Sequence, residues 1–373
     1  MFSQQKIQQT LSVLSHPVIL FYCLPWFMCL MIVGTIAQKY LGLYIATKTY
    51  LTSPIFWLWD IAPLPGLPIT VAVIFVNLLC KLLLKSPWSK QTSGIIITHL
   101  GACFLFLGMM LTSIFSYEGY ITIGEGEYSE QISDYYQREF TIQQDGDTVL
   151  SIPYAKLHQD KTITVDKIPF DIQPMHICRN CTMEHYAGED EARHGLAQKV
   201  SLINAPLEKT EETNLSGIMV NIQDSKTDQD GVHIIFEALP KPTSITIDKK
   251  TYTLSMQRVQ TPLPFQIALV DVQRELYPGM DMAKSYQSEI SLKDGDVAWN
   301  THIKMNEPLR YKGYTFYQSG YSLRGDQEYT TLAVVKNMGR SFPYIAGLFI
   351  SIGMILHSIM RFRNKKKEAA NAA

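Results

Sequence analysis

The sequence predicts a membrane protein with four transmembrane α-helices, three N-terminal and one C-terminal, and a large, mainly β extracytoplasmic domain between the third and the fourth. Three observations predict it. The runs Val18–Ala37, Leu67–Leu84, Gly94–Phe115 and Phe342–Met360 each approach the roughly 20 apolar residues that cross a hydrocarbon core of about 30 Å. A long polar stretch, from Tyr117 to about Arg340, separates the third run from the fourth. Basic residues near the run ends gather on one side of the implied bilayer.

Residues 1–16 read as a cytoplasmic N-terminal tail, with Lys6 ahead of the first span. That span is too long for the core of a secretory signal and lacks a small-x-small cleavage site, so it is expected to remain as an anchor. Residues 17–116 hold the three N-terminal helices. Lys81 lies near the end of the second run, where a long side chain snorkels to the interface. The link at 38–65 is rich in rings and prolines, among them Tyr40, Tyr44, Tyr50, Trp57, Trp59, Pro63 and Pro65, which suits headgroup depth or a shelf over a ligand in the outer leaflet. Residues 117–341 form the extracytoplasmic domain, 342–360 the fourth helix and 361–373 a basic cytoplasmic tail.

Charge sets the orientation. Lys6, Lys81, Lys85, Lys90, Arg361, Arg363, Lys365, Lys366 and Lys367 fall on one side, against Lys39, Lys48, Lys336 and Arg340 on the other. Basic residues near span ends favour the cytoplasm, which puts both termini inside. The net charge of −1, from 33 basic and 34 acidic residues, gives no support to nucleic-acid binding. No phosphate-binding Gly-rich loop and no Gly-x-Ser-x-Gly elbow is present.

Between the spans, Tyr120–Ile123, Phe140–Gln143, Thr162–Val165, Ile245–Ile247 and Tyr252–Met256 alternate apolar and polar residues, the mark of half-buried strands. Asp145-Gly146, Asp230-Gly231 and Asp294-Gly295 are tight-turn candidates. A sandwich or an open antiparallel sheet is expected.

Two histidines stand inside spans, His99 in the third and His357 near the end of the fourth. By the charge bias both lie near the cytoplasmic face, where they could face each other, face a common ligand, or serve only as helix-packing groups. Ionisable residues in spans often mark a functional path. Imidazole is also a standard axial ligand of haem iron. Gly101 and Gly108 accompany His99 and allow close approach of a helix or a flat ligand.

Cys23, Cys29, Cys80 and Cys103 lie in or beside apolar runs and read as small hydrophobic residues. Cys178 and Cys181 form Cys-Arg-Asn-Cys in the polar stretch. Three chemistries compete there: a local disulfide, a dithiol exchanging with a thioredoxin-like reductant, and a metal site completed by His176 and His185. Covalent haem attachment is excluded, because Thr182 follows Cys181 where a histidine is needed.

Near the end of the domain stands Asn306-Glu-Pro-Leu-Arg-Tyr-Lys-Gly-Tyr-Thr-Phe-Tyr-Gln-Ser-Gly-Tyr321. Its Asn306, Pro308, Leu309, Tyr311, Gly313, Tyr317, Gln318, Ser319 and Tyr321 resemble the diagnostic segment of the ResB-like (CcsB) family of cytochrome c biogenesis, system II. Tyr277-Pro278-Gly279, Tyr286-Gln287-Ser288-Glu289 and Gly34-Thr35-Ile36-Ala37-Gln38 are similar to the family too, although Ala37 stands where it often has proline. Read from the residues alone, the tyrosine segment is a hairpin whose hydroxyls need partners. As a docking surface for a partner or for unfolded apocytochrome, it would use Tyr311, Tyr317, Gln318, Ser319 and Tyr321.

The resemblance implies a non-catalytic or co-catalytic subunit of a haem-lyase complex in the bacterial cytoplasmic membrane, with a plastid membrane as the alternative. Its partners would be a CcsA/ResC-type haem-handling subunit and apocytochrome c. Haem b would pass through in transit. His99-Leu100-Gly101 matches the family's intramembrane histidine, which marks His99 as the axial-ligand candidate and leaves His357 outside the resemblance. The Cys178–Cys181 pair is foreign to the family pattern. Two rivals follow: a membrane thiol–disulfide oxidoreductase using that pair, and a structural scaffold of a membrane complex.

Overall fold

Helices form where apolar residues run unbroken, and strands form where they alternate. The computed structural model describes residues 11–188, 192–281 and 283–372, without the side chains of 365–372. One unit comprises the chain up to Tyr117, Tyr311–Tyr314 and the chain from Val335; the other comprises Glu118–Arg310 and Thr315–Val334.

Among the described residues, the first unit contains four helices long and apolar enough to cross a membrane. Helix α1 (Pro17–Leu41) starts where the His16 ring accepts from Val18 N and Pro17 pre-sets the first turn. It ends at Gly42, whose φ of 81° is open to glycine. The aromatic link is ordered into a helical turn, a π-turn and the hairpin β1 (Ile55–Leu58) and β2 (Ala62–Pro65). Helix α2 (Leu67–Cys80) runs into a π-turn at Lys81–Lys85. Helix α3 spans Ser93–Phe115. Helix α4 (Phe342–Ala372) continues past Met360, because the basic residues that end the apolar run are good helix formers.

Two rows of small residues bind α3 to α4. Gly94, Gly101 and Gly108 recur every seven positions, which keeps them on one face. On α4 and the turn before it, Gly339, Ala346 and Gly353 recur in the same way. A Cβ on Gly94 would lie 2.4 Å from His357 N, one on Gly101 2.8 Å from Ile350 Cγ1, and one on Gly108 2.3 Å from Phe342 Cβ. Backbones therefore touch along the whole pair, as in membrane helices joined through small residues. The order of contacts makes the pair antiparallel, so the chain leaves α3 and enters α4 at the same end. At the start of α1, the buried Asn77 of α2 donates to Leu14 O at 2.5 Å and His16 O at 3.0 Å.

The second unit is built on strands β3 (Tyr117–Gly124), β4 (Tyr128–Gln144), β5 (Asp147–Pro153), β6 (Asp171–Cys178), β7 (Cys181–His185), β8 (Val200–Asn204), β9 (Gly217–Gln223), β10 (Gly231–Phe236), β11 (Thr243–Ile247), β12 (Lys250–Leu276), β13 (Ala283–Asp294), β14 (Val297–Lys304), β15 (Leu309–Tyr311), β16 (Tyr314–Arg324) and β17 (Gln327–Lys336). Ten of them form one sheet in the order β14-β13-β12-β4-β3-β17-β16-β15, with β11 on β12 and β5 on β4. Strand β12 has 27 residues, and its ladder to β4 shifts register between Arg258 and Gln260 and between Pro262 and Ile267. Pro262 and Pro264 cannot donate to a ladder, so the strand bends there. The sheet curls enough for its distant strands to meet: Ser288 of β13 donates to Gln318 of β16 at 2.7 Å, and Phe265 packs on Phe316 at 6.0 Å.

A second sheet, β10-β9-β6, covers the far part of β4 and β12. Between them Phe140, Ile142, Phe170, Ile172, Ile218, Val220, Tyr252 and Leu254 are buried. Each such side chain stabilises by about 1.5–3 kcal/mol. The hairpin β7–β8 closes a smaller core around Leu202, Met219 and Ile234.

Two sequence expectations are corrected. Thr162–Val165 is no strand; only Ile163 bridges Ile172, and the segment bends after Asp160, at φ 61°. Asp230-Gly231 is no hairpin tip, because Gly231 opens β10 and its neighbour Val232 bonds to Ala192 O. Asp145-Gly146 is a tight turn with both residues at positive φ.

Replacing Gly94 by leucine is expected to lower stability by roughly 1–3 kcal/mol, since the obstructing atoms are backbone. Gly347→Leu, with nothing within 4 Å of its Cβ position, serves as control. Thermal melting in detergent by size-exclusion chromatography distinguishes the two.

Candidate functional site

His99 lies on the side of α3 turned away from the glycine row. At about 100° per residue it stands about 160° round the helix from Gly101. Cys103, Phe106, Met110 and Ser113 follow it at intervals of four and three residues, on the same face. Cys103 and Phe106 pack against Phe75, Leu78, Leu79 and Leu82, so this face turns toward α2.

The His99 ring is half-buried, and its Nδ1 is 2.8 Å from Ile95 O. A carbonyl only accepts, so Nδ1 carries the proton. Nε2 is then a lone pair, and no hydrogen bond among the described residues engages it. Such an atom can ligate a metal or accept a proton.

His357 sits elsewhere. Its backbone is the point where α4 crosses Gly94, about 7 Å along α3 from His99. The two histidines are thus more than one helical turn apart along α3, and His99 stands on the side of α3 away from the His357 crossing. No hydrogen bond or ring contact joins them among the described residues.

The tyrosine segment is divided between two roles. Gln318 points inward: its Nε2 donates to Thr330 Oγ1 at 2.9 Å and Gly320 O at 3.1 Å, while its Oε1 accepts from Ser288. Its amide is therefore spent on joining β13, β16 and β17. Such an amide satisfies both of its ends within the strands. Tyr321 stacks on Tyr286 at 5.9 Å, lies under Arg274, and donates to Glu328 at 2.6 Å. That carboxylate pushes the Tyr321 hydroxyl up. Ser319 is exposed at its position. Tyr317 is exposed, and Tyr311 is half-buried beside Lys312.

Cys178 and Cys181 form a disulfide at the turn into β7. They are 1% and 5% exposed, inside the small core with Ala197 and Leu202. Sulfur so enclosed is closed to a protein thiol. His185 is exposed on β7, and His176 keeps a buried Nε2 without a partner. With both sulfurs in the disulfide, no thiolate remains for the metal set His176, His185, Cys178 and Cys181. No group of three or more potential ligands is placed to hold a metal among the described residues.

Two features escaped sequence reading. Buried Arg138 bonds Glu237 at 2.7 Å and Glu211 at 3.3 Å; Arg179 joins Glu211 at 2.7 Å, and Arg258 joins Glu237 at 3.2 Å. Arg138 has the strand parity of Phe140 and Ile142, the one sign that it faces inward. Second, His194 and His233 stack at 5.0 Å, each with Nε2 on a loop carbonyl, of Asp230 and Gln229 respectively. Burial, and then the neighbouring His194, hold His233 below the usual imidazole range.

Comparison with known proteins follows these strands. Residues 244–342, from β11 to the start of α4, match the ResB-like family. The resemblance carried by Asn306–Tyr321 is therefore borne out over that stretch. Protein NrfI of Wolinella succinogenes is 29% identical over 136 residues, which are 35% of this chain and 15% of that protein. The chain thus spans a small part of that relative's length.

His233 is neutral in the fold and charges more readily when unfolded. Its contribution to stability is full above the unfolded value of about 6.5 and is lost as pH falls toward the lower folded value. The urea midpoint of the wild-type chain is expected to drop between pH 7.5 and 5, and His233→Gln to flatten that slope. The buried disulfide is expected to resist reductant in the folded protein and to yield two maleimide-reactive thiols only when denaturant is added, as mass spectrometry would show.

Proposed function

We propose that this ResB-like chain is a subunit of a system II cytochrome c biogenesis complex. It helps carry haem across the membrane and presents it, together with apocytochrome c, for thioether attachment. The four apolar helices and the excess of basic residues near one set of helix ends support a cytoplasmic-membrane location with both termini inside and the strand-rich unit outside.

One observation carries the haem reading: the state of His99. Its Nδ1–H is fixed on the Ile95 carbonyl, which sets the ring and leaves Nε2 for iron. Apolar side chains flank it on the α2 side, so iron bound there would sit away from water. A ligand from a CcsA/ResC-type partner would complete the coordination. His357 has its backbone engaged in the α3–α4 crossing and lies on another face, so it is the weaker ligand.

In the strand-rich unit, Tyr317 and Ser319 are the exposed members of the segment, and the inward Gln318 holds their strand in place. They are the contact points for the partner or for apocytochrome. The enclosed disulfide favours a staple over thiol exchange.

His99→Ala is expected to reduce haem absorbance of the complex purified with its partner and to reduce covalent haem on a co-expressed reporter cytochrome. His357→Ala should leave both nearly unchanged. Undiminished absorbance and yield in the His99 variant would sink the reading.

A further inference from the structure

Strand β14 is the last strand at one end of the ten-stranded sheet, and no strand pairs with its outer side among the described residues. Its eight residues run beside β13 without a register shift, from Val297 opposite Asp294 to Lys304 opposite Gln287. The turn that leaves the strand fixes where its main-chain groups point. There Lys304 N donates to Glu307 O at 3.3 Å and Glu307 N donates to Lys304 O at 3.2 Å. The Lys304 groups therefore face away from β13. Alternation along an antiparallel strand turns those of Ala298, Asn300 and His302 the same way. All three residues are exposed, and no main-chain hydrogen bond meets them on that side among the described residues.

We propose that this open edge takes an extended segment of unfolded apocytochrome as an added strand. The inference rests on the reading of the chain as the subunit that presents apocytochrome. Three features carry it: an unguarded edge, recognition through the main chain, and position.

Sheet edges are normally guarded by proline, by a bulge, by shortness, or by a segment that covers them. Other edges here have such guards. Strand β5 has a register shift and ends on Pro153, Ile163 bridges the outer side of β6, Arg193 bridges that of β10, and β15 has three residues. Strand β14 has neither proline nor bulge. Its polar side chains turn toward β13: Asn300 Nδ2 donates to Glu289 Oε1 at 3.1 Å, and Gln287 Nε2 meets the His302 ring at 3.2 Å. They leave the outward row of N–H and C=O groups uncovered.

Pairing through main-chain groups is blind to side-chain identity, so it suits a ligand met while unfolded. The outward residues stand about 7 Å apart, the two-residue repeat of an extended chain. Val297, 62% exposed, gains a cross-strand neighbour when the strand is added. Position fits as well. Ser288, opposite Ile303 in the β13–β14 ladder, donates to Gln318, which stands between the exposed Tyr317 and Ser319. Ser288 and Gln318 thus join the edge to the strand that bears the exposed pair assigned above to that ligand.

The test uses the full-length protein in detergent and a fluorescein-labelled synthetic peptide. The peptide carries a Cys-x-x-Cys-His segment with both thiols alkylated, so that no disulfide forms. Binding is read by fluorescence anisotropy. Ala298→Pro removes an outward N–H and leaves the bonds to β13 in place, and an unchanged melting temperature verifies the fold. It is expected to weaken binding about tenfold. Peptides N-methylated at alternate residues give a second readout that leaves the protein unaltered: one alternating set should lose binding and the other keep it. Equal affinity of Ala298→Pro and wild type, or of both methylated sets, overturns the edge. If Tyr317→Ala still weakens binding in that case, presentation of apocytochrome stands without β14. If the wild-type chain binds no such peptide, both readings fall. A dimer in light scattering that Ala298→Pro makes monomeric shows a second copy on the edge and also overturns the proposal.

Discussion

The helical unit depends on backbone-to-backbone contact between α3 and α4. Where the facing residues are glycine and alanine, association relies on dispersion and close fit. Gly94, Gly101 and Gly108 meeting Gly339, Ala346 and Gly353 provide that fit over four turns. The contact joins a helix from the first third of the chain to the one near its end. It thereby returns the polypeptide to the end of the helix pair at which it left, after the whole strand-rich stretch. It also fixes the rotation of α3. With one face locked against α4, the opposite face, carrying His99, Cys103, Phe106, Met110 and Ser113, has to turn toward α2.

The strand-rich unit meets a different constraint. A 27-residue strand cannot stay flat within a twisted sheet. Pro262 and Pro264 interrupt its ladder where the bend falls, and the curled sheet then encloses Ser288, Gln318 and Thr330 as one hydrogen-bonded set. At the other side of the bend, Arg138, Arg179 and Arg258 share Glu211 and Glu237. Burying these charges is costly, and their mutual pairing with backbone carbonyls of Asn214 and Glu212 offsets the cost. The set links β4 and β12, through Arg138 and Arg258, to the segments that carry Glu211 and Glu237.

These constraints give the tyrosine segment two functions at once. Its inward residues hold strands together, and its outward residues remain available for contact. Alternation along a strand produces this division without any further device. The same alternation holds on α3, where one face meets α4 and the other meets α2.

The amino-acid sequence by itself determined the four apolar helices, the β character of the intervening unit, the Asp145-Gly146 turn and the ResB-like segment, because each rests on local periodicity or a contiguous motif. His99 was legible as an unusual residue in a span. Its facing was not, since rotation depends on which neighbour fills the glycine row. The convergence of Ser288 and Thr330 on Gln318 was not legible, because nothing local shows it. The Arg138 cluster, the His194–His233 stack and the enclosure of Cys178–Cys181 join residues far apart in sequence. Only the tertiary structure decides such meetings, because they follow from where the proline-bent strand and the paired helices send the chain.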